Sequence, residues 1–167
     1  MTENSSSDDA VRAATEVMSS MDIAMLTTVD AGSSTGRLTS RPLSTQVHED
    51  DGDVLFLVRR DSGVVTDIRA NLQVNVAYSS MKAWVSLAGT AEVIDDRDTV
   101  ARLWSSGADR FMEGGPEDPD NVVLKVHGDS VTYWGGDSLV GTAVETAKMV
   151  AGKDEDGDRG PTQVDLP

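Results

Sequence analysis

Between Ile23 and Trp134 the chain passes from one short β-patterned run to the next, with turns rather than helices in most of the gaps. Ile23–Val29 is apolar and β-branched and stops at Asp30-Ala31-Gly32. Gly36–Val47 reads as a second strand, in which Pro42 is expected at an edge or a bulge because it has no N–H for a ladder. Val54–Val58 follows the acidic turn Glu49–Asp53 as a buried third strand. Gln73–Tyr78 alternates apolar and polar residues, and Ala83–Ile94 continues in strand style. Asn121–Val126 and Ser130–Trp134 read as two more strands joined at Gly128-Asp129. Parallel βαβ winding needs a helix between most strands. The spacing therefore predicts a mainly β chain, with about seven strands in an antiparallel barrel and helices at its periphery.

Four helical patterns flank these strands. Ser7 or Asp8 caps the first, whose face is Val11, Ala14, Met18 and Met21. Ser62 opens the second, with Val65, Ile68 and Leu72 on one side and Asn71 near its end. Asp95 or Asp96 caps the third, which carries Val100, Leu103 and Trp104, and the loop Glu113–Asp120 then breaks the pattern. Ser138 caps the last, with Val140, Val144, Ala147 and Val150 on its apolar face. A chain of 167 residues fits one domain with a real core. We divide it into a domain over 1–152 and an acidic tail over 153–167, expected to be disordered at its tip.

Composition removes several function classes. With no cysteine there is no disulfide, thiolate metal site or cysteine nucleophile. His48 and His127 lie far apart in sequence, both reading as surface or strand-end residues, so no metal site is expected. No apolar run approaches a membrane span, and Met1–Asp9 is polar rather than a signal segment, so a soluble cytoplasmic protein is expected. The 29 acidic and 14 basic residues give a net charge of -15, which repels nucleic-acid phosphate. Because the charges are interspersed with well-patterned apolar segments, they read as a solvated surface and not as disorder. Such a surface suits a halophile's very salty cytoplasm, where molar salt screens self-repulsion within about 3 Å.

No catalytic triad has a persuasive context, and phosphate loops of the G-x-G-x-x-G or Walker kind are absent. Two segments nonetheless gather cationic and hydroxyl groups in an otherwise acidic chain. In Gly36–Leu43, a strand would place Arg37, Thr39 and Arg41 on one face and Ser40 on the other. In Arg59-Arg60-Asp61-Ser62, a strand end meets a helix start, where backbone N–H groups, a hydroxyl and guanidinium groups could cradle a phosphate. The same arginines read equally well as ordinary charged residues at strand ends. Trp84 is expected in the core, whereas Trp104 and Trp134 are candidates for stacking on a planar cofactor.

The order of segments resembles the general stress protein branch of the pyridoxamine 5'-phosphate oxidase-like family. The resemblance runs through Met25–Val29, Leu38–Leu43, Gly52–Leu57, Asp61-Ser62, Ile68–Asn71 and Val74–Tyr78. It continues through Trp84–Ala91, Leu103-Trp104, Leu124–Val126 and Tyr133-Trp134, and so covers roughly residues 10 to 150. It implies an FMN-binding split barrel that forms a homodimer, with the flavin in a cleft between subunits. On that resemblance Thr39, Ser40, Arg41 and Pro42 run along the flavin, with Arg41 nearest. Val58, Arg59, Arg60 and Ser62 belong to the segment that holds the phosphate. Trp104 and Trp134 match positions that approach the cofactor or close the cleft. The chain departs from the family at Val64, where relatives usually carry a lysine, and at Val58, where a threonine is common. Losing a charge-assisted hydrogen bond costs about 1.5–3 kcal/mol, or about ten- to hundredfold in affinity. The implied function is an FMN-binding redox or stress-response protein, whose enzymatic form would be a flavin-dependent oxidoreductase, with no identifiable catalytic base. Its alternatives are a split barrel holding a deazaflavin or heme, or a stress protein that binds flavin without turnover. Pyridoxamine 5'-phosphate oxidase activity itself is not implied, because the substrate-phosphate residues at the C-terminal end of those enzymes have no match here.

Overall fold

The computed structural model describes residues 14–48, 53–81, 83–105, 107–135 and 162–165. Its strands are β1 (Ile23–Val29), β2 (Leu38–His48), β3 (Val54–Arg59), β4 (Gln73–Ser79), β5 (Ala83–Ile94), β6 (Asn121–Gly135) and β7 (Thr162–Asp165). They form one sheet in the order β3-β2-β1-β4-β5-β6-β7, and a further β3–β6 pairing closes the first six into a barrel. Every pairing is antiparallel. Helical residues 14–19 form α1, Gly63–Ala70 form α2 and Arg97–Leu103 form α3, with a 3-10 turn at Ala108–Arg110. The antiparallel barrel with peripheral helices expected from the strand spacing is thus the fold observed. Among the described residues no helix is long and apolar enough to cross a membrane.

Alternation decides which side of each strand enters the barrel. In β1, Ala24, Leu26 and Thr28 are buried while Ile23 and Met25 face out. In β4 the inward set is Val74, Val76 and Tyr78. β3 is different, since every residue from Val54 to Val58 is buried. Val54, Phe56 and Val58 join the barrel core, whereas Leu55 and Leu57 pack outside it with Val123, Val100, Leu103 and Ala108. A strand covered on both faces has no solvent side to fill, which is why its sequence is an uninterrupted apolar run. Val64, Val65 and Ile68 of α2 also join the barrel core. Pro42 pairs with Met25 of β1, and β3 meets β2 only at Thr45, Val47 and His48. The other edge of β2 from Leu38 to Ser44 has no strand partner among the described residues, which is where a proline is tolerated.

The structure corrects several local expectations. Asn121–Val126 and Ser130–Trp134 are one strand, because both halves run antiparallel to β5 and the chain does not reverse at Gly128-Asp129. Ala88 pairs with Ser130 and Gly89 with Gly128, so Asp129 is the extra residue of a β-bulge. Gly89 permits it: a Cβ there would lie 1.9 Å from the His127 carbonyl oxygen. The half of β6 before the bulge pairs with β3, and the half after it pairs with β7. The tail thus contributes a strand. Leu72 follows the Asn71 C-cap of α2 and is exposed, and Trp104 is the C-cap of α3. Trp84 is no core residue, being 48 % exposed on the outer side of β5. Of the two candidate caps for α3, Asp96 accepts the Thr99 N–H at 3.1 Å. The caps at Ser7 or Asp8, the His48 side chain and the helix over 138–152 lie outside the described residues.

His127 lies within β6, beside the bulge, and not at a strand end. Its Nδ1 is 3.0 Å from Asp53 Oδ2 and its Nε2 is 2.7 Å from Glu92 Oε1, with Lys125 Nζ 3.0 Å from the same Asp53 oxygen. The bond to Glu92, and then the charges of Asp53 and Glu92, outweigh burial and Lys125 and raise the histidine's pKa. A raised folded-state value stabilises the fold fully below the ordinary value of about 6.5, and that stabilisation is lost as pH rises through the raised value. His127→Gln is therefore expected to lower Tm more at about pH 5.5 than at about pH 9. An equal deficit at both, measured by thermal denaturation, would remove the ion-pair account of this cluster.

Candidate functional site

The middle of α2 meets β1 and β2 at a buried carboxylate. Asp67 is 6 % exposed and accepts the Thr28 hydroxyl at 2.8 Å, the Ala31 N–H at 3.0 Å and Arg41 Nη2 at 2.8 Å. Arg41 Nη1 also donates to Thr28 Oγ1 at 3.1 Å. Burial by itself would raise the Asp67 pKa. The Ala31 N–H, Arg41 and Thr28 together overcome that and hold it below the ordinary carboxylate range. Cross-strand pairing of Leu26 with Arg41 and Thr28 with Thr39 puts both β2 residues on the inward side. Ser40 and Pro42 face outward, where the Ser40 and Thr27 hydroxyls are 2.7 Å apart. Arg37 precedes β2 and pairs with Asp30 at 3.4 Å, so it does not join Thr39 and Arg41.

A second group of arginines clasps the loop over 113–120. Arg59 Nη1 donates to Asp118 Oδ2 at 3.1 Å and Asn121 Oδ1 at 3.4 Å, and its Nη2 lies 3.5 Å from Asp120 Oδ2. Arg60 Nη2 donates to Asp95 Oδ2 at 2.5 Å and to the Pro119 carbonyl at 2.8 Å. Arg97 donates to the Asp118 carbonyl at 2.7 Å, to the Asn121 carbonyl and to Asp95. Gly114 and Gly115, at φ 84° and 75°, let the loop turn back on itself. The Asp120 N–H foremost, then Arg59, holds the Asp118 pKa below the ordinary range against the cost of burial. Ser62 stands at the N-cap of α2, but it donates its hydroxyl to the Arg59 carbonyl at 2.6 Å and its side chain makes no capping bond. Val58 and Val64 are both buried in the barrel core.

The third feature is the outer side of the sheet. Its outward residues are Leu38, Ser40, Pro42 and Ser44 of β2 and Ile23, Met25, Thr27 and Val29 of β1. Gln73, Asn75, Ala77 and Ser79 of β4 continue the surface, followed by Trp84, Ser86 and Ala88 of β5 and Ser130, Thr132 and Trp134 of β6. None of these residues is charged, in a chain that is 26% charged. Leu38, Ile23, Trp84, Met25 and Trp134 are the large exposed apolar groups on it. Trp84 and Trp134 are direct cross-strand partners, and Asn75 Nδ2 donates to Ser86 Oγ at 2.7 Å. Among the described residues no group of histidine and carboxylate side chains has the makings of a metal site.

Residues 9–156 match the model of the family described as pyridoxamine 5'-phosphate oxidase like. The chain belongs to that family. The curated relative Protein bli-3 of Neurospora crassa is 32% identical over an alignment of 130 residues that covers 71% of this chain and 61% of the relative. The chain thus spans less than two thirds of that relative's length. A Clostridium acetobutylicum protein related to general stress protein 26 superposes with a TM-score of 0.66 at 20% identity, covering 78% of this chain and 92% of the other. The general stress FMN/FAD binding protein of Xanthomonas citri is 27% identical, with a TM-score of 0.59 over 71% of this chain and 83% of its own. A heme binding protein from Mycobacterium smegmatis shares the fold at 18% identity and a TM-score of 0.59, over 82% of this chain and 60% of its own. The family and the split-barrel fold anticipated from the segment order are those observed, and the solved neighbours that share the fold include proteins named as general stress proteins.

The structure divides the ten candidate residues among separate places. Thr39 and Arg41 face inward toward Thr28 and α2, while Ser40 and Pro42 belong to the uncharged outer side. Val58 is in the core, Arg59 and Arg60 are turned to the acidic loop, and Ser62 bonds to its own strand end. Trp134 lies on the outer side beside Trp84. Trp104 donates Nε1–H to Asp109 at 2.7 Å and packs in the small core around Leu55 and Val100. Sequence reasoning missed Asp67 and Thr28. The signal was available for Asp67: a carboxylate lying among Val64, Val65 and Ile68 on the buried side of a short helix must have donors waiting for it.

Proposed function

We propose that the protein binds a flavin where the uncharged outer faces of two copies meet, and acts there as a redox or stress-response protein. The observation that carries this reading is that face itself, on a chain of this family. Isoalloxazine has an apolar end and a polar end lined with hydrogen-bond donors and acceptors. Mostly apolar surface with a few placed polar groups is what a planar ligand needs. Trp84, Trp134, Met25 and Pro42 supply the apolar area, and Ser40, Thr27, Asn75 and Ser86 supply hydroxyl and amide groups. When bound, the flavin would supply the electron chemistry, and the chain's task is to hold it and exclude water. The ring end fits this surface. Among the described residues that the family resemblance assigns to it, the phosphate end does not find a clamp, since Arg41, Arg59 and Arg60 are each engaged by carboxylates and Val64 is apolar.

Two copies are part of the reading because an apolar, uncharged sheet face on so acidic a chain is otherwise a liability in water. A C2 pairing would cover it with the same face of the second copy. A heme would call for an axial ligand, and the one histidine side chain among the described residues, His127, has both ring nitrogens held by carboxylates. That favours the flavin over the heme. The chain, purified in molar potassium chloride, is expected to carry flavin absorbance through a gel-filtration column equilibrated with FMN. Elution of protein with no flavin above the column background would overturn the reading.

A further inference from the structure

We infer that this site recognises a flavin by its ring system and not by its phosphate, so that riboflavin and FMN bind with the same affinity. This rests on the flavin reading above and names the ligand chemistry of that site. A phosphate dianion is held by cations and by free backbone N–H groups. The cations that β2, β3 and the head of α2 contribute are Arg41, Arg59 and Arg60, and the chain has already answered each of them with an anion of its own. Asp118 and Asp120 sit on Arg59 at 3.1 and 3.5 Å, and Asp95 sits on Arg60 at 2.5 Å. Asp67 sits on Arg41 at 2.8 Å.

These contacts belong to built structures. Asp118 is fixed by the Asp120 N–H on its Oδ1 at 2.9 Å, and the loop around it by Asn121 Nδ2, which donates to the Glu113 and Gly115 carbonyls at 2.8 and 2.7 Å. Asp67 is fixed by Thr28 and the Ala31 N–H. A phosphate reaching any of the three arginines would meet a carboxylate already within hydrogen-bond distance of the same guanidinium group, and like charges at that range repel. Ser62 has spent its hydroxyl on the Arg59 carbonyl at 2.6 Å, and Val64 adds no donor beyond its backbone. What remains at the head of α2 is the partial positive charge of a short helix, worth a severalfold preference at most. The net charge of -15 works against even that for a dianion.

The test is a pair of titrations of the full chain with riboflavin and with FMN, followed by quenching of flavin fluorescence. The expected dissociation constants agree within about threefold. A preference for FMN of about tenfold or more, the effect of one charge-assisted bond, overturns the inference while leaving the flavin reading intact. Binding of neither flavin overturns both. Asp118→Asn keeps the side chain's shape and removes the nearest of the carboxylates on Arg59, leaving Asp120 at 3.5 Å and Asp61 at 3.7 Å. It is expected to tighten FMN about tenfold and leave riboflavin unchanged. An Asp118→Asn protein whose two constants still move together would show that Arg59 is not within reach of the phosphate end, and would overturn the claim that the loop's carboxylates stand in for it.

Discussion

Gly89→Ala is expected to lower the stability of the protein by about 3 kcal/mol or more, a large share of what a domain has in total. The new methyl carbon would stand 1.9 Å from the His127 carbonyl oxygen, 2.9 Å from its carbonyl carbon and 3.1 Å from Gly128 Cα. All three are backbone atoms of the neighbouring strand, so no side chain can swing aside to relieve the contact. β5 and β6 would have to separate at the bulge, which also carries His127 away from Asp53 and Glu92. For a chain of this size the expected fall in Tm is about 10 °C. Gly63→Ala is the control, because a Cβ there meets nothing within 4 Å. Gly63 also opens α2 at an ordinary φ, so alanine should be neutral or slightly stabilising there. Thermal denaturation of the two variants side by side decides the matter. A Gly89→Ala protein within about 1 kcal/mol of the parent would mean that the bulge relaxes freely and is not what the glycine is there for.

Ala77→Glu should convert the proposed dimer to a monomer that is still folded. Ala77 faces outward from β4, in register with Met25 on one side and Ser86 on the other, near the middle of the uncharged surface. In a single copy the new carboxylate reaches water. In a two-fold pairing of this face each copy would bury one without a partner, at about 3–5 kcal/mol each. The dissociation constant should rise more than about a hundredfold. Ala77→Ser, which copies the hydroxyl character of its neighbours, should leave it alone. Light scattering during gel filtration reads the mass, and circular dichroism checks that the barrel survives. If Ala77→Glu remains dimeric, the copies pair elsewhere and the flavin cleft must be sought elsewhere too.

The barrel was legible because its strands obey a period of two and sit too close together for helical crossovers. Val74, Val76 and Tyr78 face in because they alternate with Asn75 and Ala77, and no tertiary information is needed to see it. The join at Gly128-Asp129 misled because a Gly-Asp pair between two strand-like runs looks like a hairpin turn. Telling turn from bulge requires the partner strand, and the decisive residue, Gly89, lies 39 positions away. Trp84 misled for a related reason. A tryptophan's default place is a core, and only the register with Trp134 shows that both stand on an outer face. The arginines of the candidate site were legible as cations but not as paired cations. Their acceptors, Asp67, Asp95, Asp118 and Asp120, are 26 to 61 positions distant and are a few carboxylates among many. In a chain this acidic, composition cannot say which carboxylate will meet which guanidinium.

The closing contact between β3 and β6 has a bearing on how the molecule comes apart. Phe56 pairs with Leu124 across that seam, and once it is made the six strands form a ring with no first or last member. An open sheet can fray from its outermost strand inward; a ring cannot, because releasing any strand breaks two ladders at once and uncovers the common core. Opening of the ring is therefore all-or-none, and its amides should exchange with solvent together and last. β7 stands outside the ring with a single ladder to hold it, and the clasped loop is tied to the strands by side chains and by backbone bonds only at its end, from the Arg60 N–H to the Asp120 carbonyl and from the Asn121 N–H to the Asp118 carbonyl. Small-scale opening belongs to those two pieces, an order that hydrogen exchange followed residue by residue reads directly.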